Sequence, residues 1–292
     1  MTEKPDVLIV GAGPAGVAAA IQLKRSGVPF VLLEKDSVGG LLLNANLVEN
    51  YPGFPHGIPG PKLAALFARQ LRRLGIETTR DELLRLDDND GWLAETARTV
   101  YRPRVVVLAV GTRPRPLPLL LPEAARGRVF SEVRHLAAAQ GKRVVIIGAG
   151  DAAFDYALNL AGRGNLVTIL NRSRTLSCLP LLCERASANP NITYREQISL
   201  LGVEFDPSAG CLRLMTDCCS LLADYLVFAI GREPALDFLT ESVAQNQAAL
   251  IEHGKLYLIG DVHSGRFRQA AIAAGEGLRA AMQIYANRGV EE

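Results

Sequence analysis

The order of strand, glycine-rich turn, helix and strand at the start of the chain restricts the fold more than any other feature of the sequence. Residues 6–10 read Asp-Val-Leu-Ile-Val, and the lack of polar alternation after the aspartate is typical of a parallel strand buried on both faces. The motif Gly-Ala-Gly-Pro-Ala-Gly follows at once at 11–16, and a helical pattern extends over 17–26. A second apolar strand at 30–34 ends in a glutamate. This order predicts a parallel α/β domain that binds a dinucleotide.

Each part of the motif has a physical task. Gly11 permits the tight turn, Gly13 lets the backbone approach a pyrophosphate, and Gly16 lets the helix pack closely on the strand. The N-terminus of the helix then faces the phosphate charge. Glu34 lies 21 residues after Gly13, where a carboxylate accepts hydrogen bonds from a ribose. The predicted binding residues of this first site are Gly11, Gly13, Pro14, Ala15, Gly16, Glu34 and Lys35.

The pattern recurs in the middle of the chain. A predicted buried strand at 142–147, apolar from Val144 onward, runs into Gly-Ala-Gly-Asp-Ala-Ala at 148–153. Ala153 satisfies the close-packing position of the third glycine. The next strand, 166–170, is followed by Asn-Arg-Ser-Arg rather than by an acid, so arginines there can bind a 2′-phosphate. This favours NADPH over NADH, although the same arginines could be solvated loop residues. The predicted residues of this second site are Gly148, Gly150, Asp151, Ala152, Arg172, Ser173 and Arg174.

Two segments share one order: an apolar strand, then a glycine, polar residues and a proline. They lie at 105–114 and 225–234, and both are expected where the chain leaves a nucleotide domain. Alternating stretches at 200–205 and 211–216 predict an antiparallel meander. Near the end, a strand at 256–259 leads into Gly260 and Asp261, and a small-residue helix opens at 268–270 and extends to about 286. An aspartate in that position can bind the ribityl or phosphate region of a flavin, towards which the helix directs its N-terminus.

The composition fits an ordinary globular protein. Hydrophobic residues make up 49% and charged residues 21% of the 292, and no apolar run approaches the ~18 residues that span a bilayer. The N-terminus has no cleavage-site region, so we expect a cytoplasmic protein without a membrane span. The five cysteines are odd in number and clustered, which does not suggest a secreted disulfide framework. Nothing in the sequence predicts a metal site or a nucleic-acid partner.

Charge is concentrated in one stretch. Residues 98–143 hold ten basic residues against Glu123 and Glu132, a local net charge of +8 in a chain of net charge +2. Such a stretch suits a phosphate-rich cofactor or an acidic electron carrier. A solvated and partly paired surface is the alternative.

On these residues the chain resembles the low-molecular-weight thioredoxin reductase family of the pyridine nucleotide-disulfide oxidoreductases. Residues 39–54 are similar to the family's GGQL…VENxPG segment, and 260–261 with 268–270 match its C-terminal FAD motif. The resemblance implies an α/β fold of two Rossmann-like three-layer ββα domains. FAD would bind a discontinuous domain, 1–112 and 236–292, with an NAD(P)H domain at 113–235 inserted, in a homodimer. It adds these FAD-binding residues: Gly39, Gly40, Leu41, Asn46, Asn50, Gly111, Asp261, Arg268, Gln269 and Ala270.

Two departures from the family pattern stand out. The family reduces thioredoxin with a CxxC pair shortly before the second glycine motif, and an ungapped count puts Ser131 and Arg134 there. The chain contains no CxxC, and dithiol exchange needs an attacking and a resolving thiol. Leu41 stands where the family has glutamine beside the flavin. The remaining pairs, Cys178 with Cys183 and Cys218 with Cys219, are interpreted as reduced packing or surface thiols rather than a redox centre.

Three functions follow as hypotheses. In the first, an FAD-dependent oxidoreductase passes electrons from NADPH, or from NADH, to an external acceptor, and no catalytic residue is needed beyond the flavin. The acceptor could be a ferredoxin- or flavodoxin-type carrier, a quinone, a small disulfide or dioxygen. The second is a flavoprotein that takes electrons from ferredoxin and dispenses with pyridine nucleotide. The third is a non-catalytic flavin-binding protein.

Overall fold

The computed structural model describes residues 2–288, and these divide into two compact units. The first unit comprises 2–43, 48–113 and 233–288, and the second comprises 44–47 and 114–232. The short interval 44–47 therefore belongs to the second unit, although both of its flanks belong to the first. Among the described residues, no helix has the length and apolar content required to cross a bilayer.

The first unit is built on a five-stranded parallel sheet. Its strands, in spatial order, are Leu256–Leu258, Val105–Leu108, Val7–Val10, Phe30–Glu34 and Thr79–Arg80. The central strand Val7–Val10 is buried at every position, as its unbroken apolar run requires. The α-helices of this unit are Pro14–Arg25, Gly60–Arg73, Glu241–Glu252 and Ala270–Arg288.

A second, smaller sheet forms another layer of the first unit. Its strands, in spatial order, are Thr2–Glu3, Val100–Tyr101, Leu93–Thr96 and Leu83–Asp87. One apolar cluster joins the two sheets, with Leu8 and Leu33 from the parallel sheet packed among Leu86 and Tyr101 of the smaller one. Trp92 is buried in the same cluster and is part of the core.

The second unit repeats this arrangement. Its parallel sheet has the spatial order Val129–Phe130, Tyr225–Phe228, Arg143–Ile147, Leu166–Leu170 and Ile192–Arg195. The helices Asp151–Ala161 and Pro180–Ser187 pack against one face, where Phe154 and Leu160 meet Ile146. The antiparallel strands Leu200–Asp206, Cys211–Thr216 and Ser220–Ala223 cover the other face. The predicted meander and the predicted fold, two Rossmann-like three-layer ββα domains, are confirmed.

Two short strands, Thr112–Pro114 and Arg232–Pro234, lie where the chain passes from one unit to the other. Four short 3-10 turns complete the secondary structure of the described residues: Gly40–Asn44, Glu123–Arg128, Val133–Leu136 and Gly260–Val262.

Candidate functional site

The first glycine motif leaves no room for a Cβ at two of its three positions. Gly11 has φ of +102°, and a Cβ built on it would lie 2.4 Å from the carbonyl oxygen of Ala109. A Cβ on Gly16 would lie 1.8 Å from the carbonyl oxygen of Gly11. A Cβ on Gly13 would meet nothing within 4 Å, so the space in front of that residue is open. This is the geometry required for a pyrophosphate to approach the backbone.

The helix Pro14–Arg25 begins at this open space. Its N-cap residue is Gly13, no side chain caps the first turn, and no acidic side chain lies there. The unpaired N–H groups of a helix N-terminus bind anions, and here nothing in the motif competes for them. The residues present therefore fit the pyrophosphate of a dinucleotide.

Glu34 is fixed by two backbone hydrogen bonds. Its Oε2 accepts the N–H of Ala12 at 2.7 Å, and its Oε1 accepts the N–H of Asp36 at 2.9 Å. A carboxylate has about four acceptor positions, so two remain for ribose hydroxyls. The neighbouring Lys35 is exposed and forms an ion pair with Glu82 at 3.2 Å. The contact with Ala12 places the acid directly beside the glycine turn.

The segment that follows the second strand also returns to the glycine turn. Gly39 has φ of +113°, and its N–H donates to the carbonyl of Ala12 at 2.8 Å. A Cβ on Gly39 would lie 2.3 Å from the Cβ of Ala64, so a larger residue does not fit. Gly40 and the partly buried Leu41 then begin a 3-10 turn. Asn46 lies in the second unit, where its N–H donates to Asp155, so the structure does not group it with the first glycine motif.

The structure joins two distant predicted segments of the first unit. The side-chain amide of Asn50 donates to Oε1 of Gln269 at 2.8 Å, which links the VEN segment to the start of the helix Ala270–Arg288. Gly111, with φ of +65°, lies after the strand Val105–Leu108, near the end of this unit's second segment. Arg268 and Ala270 flank Gln269, and Asp261 lies in the 3-10 turn Gly260–Val262.

Glu276 holds that turn in place, and the sequence pattern did not indicate it. Its Oε2 accepts the N–H of Gly260 at 2.5 Å, and its Oε1 accepts the hydroxyl of Ser264 at 3.1 Å. A Cβ on Gly277 would lie 2.1 Å from the carbonyl oxygen of Ala15, so the last helix crosses the first one in close contact. One acid within an otherwise small-residue helix is the signal that could have identified Glu276.

The second glycine motif has the same backbone geometry. Gly148 has φ of +136°, and a Cβ on it would lie 2.3 Å from the carbonyl oxygen of Ala229. Gly150 is the N-cap of the helix Asp151–Ala161, which again lacks a side-chain cap. Ala152 is exposed in the first turn. The motif therefore fits a nucleotide phosphate in the same way as the first.

A segment that the sequence did not single out lies against this second motif. The N–H of Ser177 donates to the carbonyl of Ala149 at 3.1 Å, and the N–H of Leu179 donates to Oδ1 of Asp151 at 2.7 Å. Asp151 thus anchors residues 177–179 beside the glycine turn. A nucleotide bound there would contact this segment as well as the motif.

The predicted ribose loop is organised by a buried asparagine. Asn171 donates through its side chain to the carbonyl of Thr175 at 3.0 Å and accepts the N–H of Ser173 at 3.1 Å. Arg172, Ser173 and Arg174 are exposed on the turn that results, and Arg174 donates to Gln197 at 2.9 Å. Two exposed guanidinium groups on a fixed turn can pair with a phosphate.

Residues 131–134, which an ungapped count aligns with the family's CxxC pair, lie in an ion-paired cluster within the second unit. Glu132 lies 2.8 Å from Nε of Arg134 and 3.2 Å from Arg232. The amide of Asn44 also donates to Glu132 at 3.3 Å, and the N–H of Arg134 donates to Asn44 at 3.1 Å. Ser131 is partly buried beside this cluster. The four residues of the cluster therefore form a charged, hydrogen-bonded group that contains no thiol.

Two ionisable groups near this cluster have raised pKa values. Burial raises the pKa of Asp155 from 3.8 to about 6, against the N–H groups of Asn46 and Leu47, which lower it. Burial also raises the pKa of Tyr156 to about 12, although Arg232 acts in the opposite direction. Both residues belong to the helix that starts at the second glycine motif. Within residues 2–288, no group of three His, Cys, Asp or Glu side chains could hold a metal ion.

The fold and the two motifs define an FAD-dependent NAD(P)H oxidoreductase. The sequence profile of the pyridine nucleotide-disulphide oxidoreductase family matches residues 5–277. The chain therefore belongs to that family, and its cofactors are FAD and a pyridine nucleotide.

Similar proteins agree with this assignment. The thioredoxin reductase of Streptomyces coelicolor is 32% identical over 97% of this chain and 93% of its own length. The thioredoxin reductase of Mycolicibacterium smegmatis is 31% identical over 95% of this chain and 94% of its own. Among solved structures, Lactococcus lactis thioredoxin reductase in its FR conformation superposes with a TM-score of 0.84 at 26% identity, covering 97% of this chain and 98% of that one.

Proposed function

We propose that this protein passes electrons from NAD(P)H through FAD to an external acceptor and that it does not reduce thioredoxin by dithiol exchange. The observation that carries the proposal is the composition of residues 131–134, Ser-Glu-Val-Arg, at the position where the family has its CxxC pair. Exchange requires a thiolate and a resolving thiol at one place, and this segment has neither.

The surroundings of this segment support the proposal. Glu132 is paired with Arg134 and Arg232, and Asn44 hydrogen-bonds to both Glu132 and Arg134. These residues therefore satisfy one another's charges and hydrogen-bonding groups. Removing one partner of a buried ion pair lowers the free energy of unfolding several times more than removing a surface contact does. The cluster is therefore explained as a stabilising ion-pair network of the second unit, and not as a dithiol site.

The FAD site is proposed on the first unit. Gly11, Gly13, Gly16 and the N-terminus of the helix Pro14–Arg25 would receive the pyrophosphate, and Glu34 the adenosine ribose. Gly39, Gly40, Asn50, Asp261 and Gln269 would hold the flavin portion. When bound, FAD supplies reversible two-electron redox chemistry, and the chain contributes binding, orientation and electrostatics. The division into an FAD domain, 1–112 with 236–292, and an NAD(P)H domain, 113–235, stays a proposal.

The pyridine nucleotide site is proposed on the second unit, at Gly148, Gly150 and the first turn of the helix Asp151–Ala161. Arg172 and Arg174 would bind a 2′-phosphate, since the loop that carries them has no acid to repel it. We therefore expect NADPH to be preferred to NADH. The carboxylate of Asp151 accepts the N–H of Leu179 at 2.7 Å, so one of its oxygens is already hydrogen-bonded within the second unit.

The basic stretch 98–143 gives only limited support for an acidic electron carrier. Arg113 pairs with Glu233 and Asp237, Arg143 pairs with Asp224, and Arg134 pairs with Glu132. Three of these carboxylates come from outside the stretch and offset part of its charge. A quinone, a small molecule or dioxygen is therefore as compatible with this surface as a ferredoxin- or flavodoxin-type carrier.

A stopped-flow experiment tests the proposal and separates it from the two alternatives. The purified holoprotein is mixed with NADPH under anaerobic conditions, and flavin absorbance is recorded. Rapid bleaching, followed by reoxidation with a member of a panel of quinones, carriers or oxygen, is the expected result. Bleaching by reduced ferredoxin but not by NADPH would favour the ferredoxin-dependent alternative. A flavin that neither donor reduces would indicate a binding protein.

We also propose a homodimer, located in the cytoplasm. The last helix of the first unit, Ala270–Arg288, buries one face against the first helix and exposes another with Leu278, Met282 and Tyr285 at helical spacing. These side chains are 44%, 55% and 56% exposed, and contiguous apolar surface of this kind marks interfaces. Met282→Lys should reduce the mass measured by light scattering to that of one chain. Leu120→Lys, at the 97% exposed Leu120 of the second unit, is the control and should not.

A further inference from the structure

The tip of a hairpin in the second unit carries two adjacent cysteines. The strands Cys211–Thr216 and Ser220–Ala223 are antiparallel, with Met215 opposite Ser220. The N–H of Thr216 donates to the carbonyl of Cys219 at 2.9 Å and closes a tight turn through residues 217 and 218. Both Cys218 and Cys219 are exposed on this turn. The hairpin thus presents two thiols to solvent on a hydrogen-bonded scaffold.

The two sulfur atoms face each other. Sγ of Cys218 donates to Sγ of Cys219 at 3.5 Å, and Oγ1 of Thr216 lies 3.6 Å from the latter. The N–H of Cys219 donates to Oγ1 of Thr216 at 3.0 Å. Thr216 therefore fixes the turn and also lies beside the sulfur of Cys219. The second thiol is held at contact distance rather than pointing away.

The surroundings favour the thiolate of Cys219. Hydrogen bonding from Thr216, then from Cys218, lowers the pKa of Cys219, and the nearby Arg195 acts in the same direction against Asp217. Among the other cysteines, Cys211 is buried, and burial raises the pKa of Cys178. Reactive cysteines have a low pKa, are accessible to solvent and lie next to a resolving thiol, and Cys219 combines these three properties.

We propose that Cys219 and Cys218 form a reactive dithiol that exchanges with low-molecular-weight disulfides, with Cys219 as the attacking thiol and Cys218 as the resolving one. The thiolate of Cys219 attacks one sulfur of the small disulfide, so a mixed disulfide forms and one thiolate leaves. The thiol of Cys218 then loses its proton and attacks Sγ of Cys219, which releases the second thiolate. The protein loses two electrons and two protons, and one small disulfide becomes two thiols.

The geometry makes this exchange readily reversible. Cα atoms of adjacent residues are about 3.8 Å apart, below the usual range of about 4.4–6.8 Å for disulfide-bonded cysteines. A disulfide between Cys218 and Cys219 is therefore strained, and strained exposed disulfides are easily reduced. The pair fits a sensor of small disulfides better than a structural bridge. It is independent of the proposed electron transfer, because no step of the exchange uses the flavin or NAD(P)H.

The test uses the full-length holoprotein and oxidised glutathione in excess at pH 7, without NADPH. Aliquots are quenched in acid, and intact mass with peptide mapping gives the site and rate of modification. Three variants are compared with the native chain: Cys218→Ser, Cys219→Ser and, as the matched control thiol, Cys183→Ser. Flavin absorbance of each variant verifies that it is folded.

The native protein should lose the mass of two hydrogen atoms and retain no glutathione. Cys218→Ser should accumulate one glutathione on Cys219, and Cys219→Ser should slow the initial reaction about tenfold. Cys183→Ser should behave like the native chain. An unchanged rate in Cys219→Ser, or modification of Cys178 as fast as that of Cys219, would overturn the role of Cys219. A glutathione adduct equally persistent in the native chain and in Cys218→Ser, or a reaction that requires NADPH, would overturn the dithiol mechanism.

Discussion

Asp155 should make the stability of this protein depend on pH in the neutral range. Its carboxylate is partly buried in the helix that begins at the second glycine motif, and Oδ2 accepts the N–H of Asn46 at 2.9 Å. Burial raises its pKa from 3.8 to about 6. Because the folded-state pKa lies above the unfolded one, the contribution to stability is fully present below pH 3.8. It is lost as the pH rises through about 6.

The magnitude follows from this shift of roughly two pKa units. At about 1.36 kcal/mol per unit, the full loss is about 3 kcal/mol. Close to half of it has already occurred at pH 5, where the unfolded carboxyl group is ionised and the folded one is still protonated. About 1.4 kcal/mol therefore remains to be lost between pH 5 and pH 8. Replacing Asp155 by asparagine keeps an acceptor for Asn46 but removes the titration.

Urea unfolding of the holoprotein at pH 5 and pH 8 measures this difference, because the free energy of unfolding at each pH is the urea midpoint multiplied by the m-value. The native chain should lose about 1.4 kcal/mol more than Asp155→Asn over this interval. Asp206→Asn is the control, because hydrogen bonds from Ser208 and Arg213 lower the pKa of Asp206. Its carboxyl group is therefore ionised above pH 5 in both the folded and the unfolded protein, so this variant should keep the pH dependence of the native chain. An equal pH dependence in the native chain and Asp155→Asn would refute the assignment.

Two further predictions concern the nucleotide sites. Gly13→Ala should fold with a nearly unchanged melting temperature and lose FAD on dilution, because its methyl group enters the open phosphate space. Gly16→Ala should also melt at a lower temperature, since its Cβ would lie 1.8 Å from a carbonyl oxygen. Equal melting temperatures and FAD contents in the two variants would contradict this distinction. Replacing Arg172 and Arg174 by alanine should raise the NADPH concentration needed for half-maximal flavin reduction at least about tenfold, because ion pairs with the 2′-phosphate are lost. The NADH concentration needed should change little. Equal effects on both nucleotides would show that these arginines do not bind the 2′-phosphate.

Much of the architecture was predictable from local patterns. The buried strand Val7–Val10 and the meander at 200–216 follow from the spacing of apolar residues. Both glycine motifs follow from their spacing, which matches the turns observed. Helix ends were less predictable: the first helix begins at Pro14 rather than Val17, because proline is favoured in a first turn. The third meander strand, Ser220–Ala223, was too short for its alternation to be recognised.

What the sequence did not indicate depends on contacts between distant segments. Glu276 reaches back to Gly260, and Leu179 donates to Asp151, and neither pair has a characteristic spacing. The assignment of 44–47 to the second unit is of the same kind, because Asn44 and Asn46 hydrogen-bond there to residues about a hundred positions away. Such contacts arise only once the chain has folded.

The most direct test of the central claim compares the native protein with a variant in which all five cysteines are serine. Each is mixed anaerobically with NADPH, and flavin reduction is followed before and after oxidised thioredoxin is added. We predict that NADPH bleaches the flavin at similar rates in both proteins and that neither reduces thioredoxin. NADPH-dependent reduction of thioredoxin by the native protein, lost in the serine variant, would contradict the account.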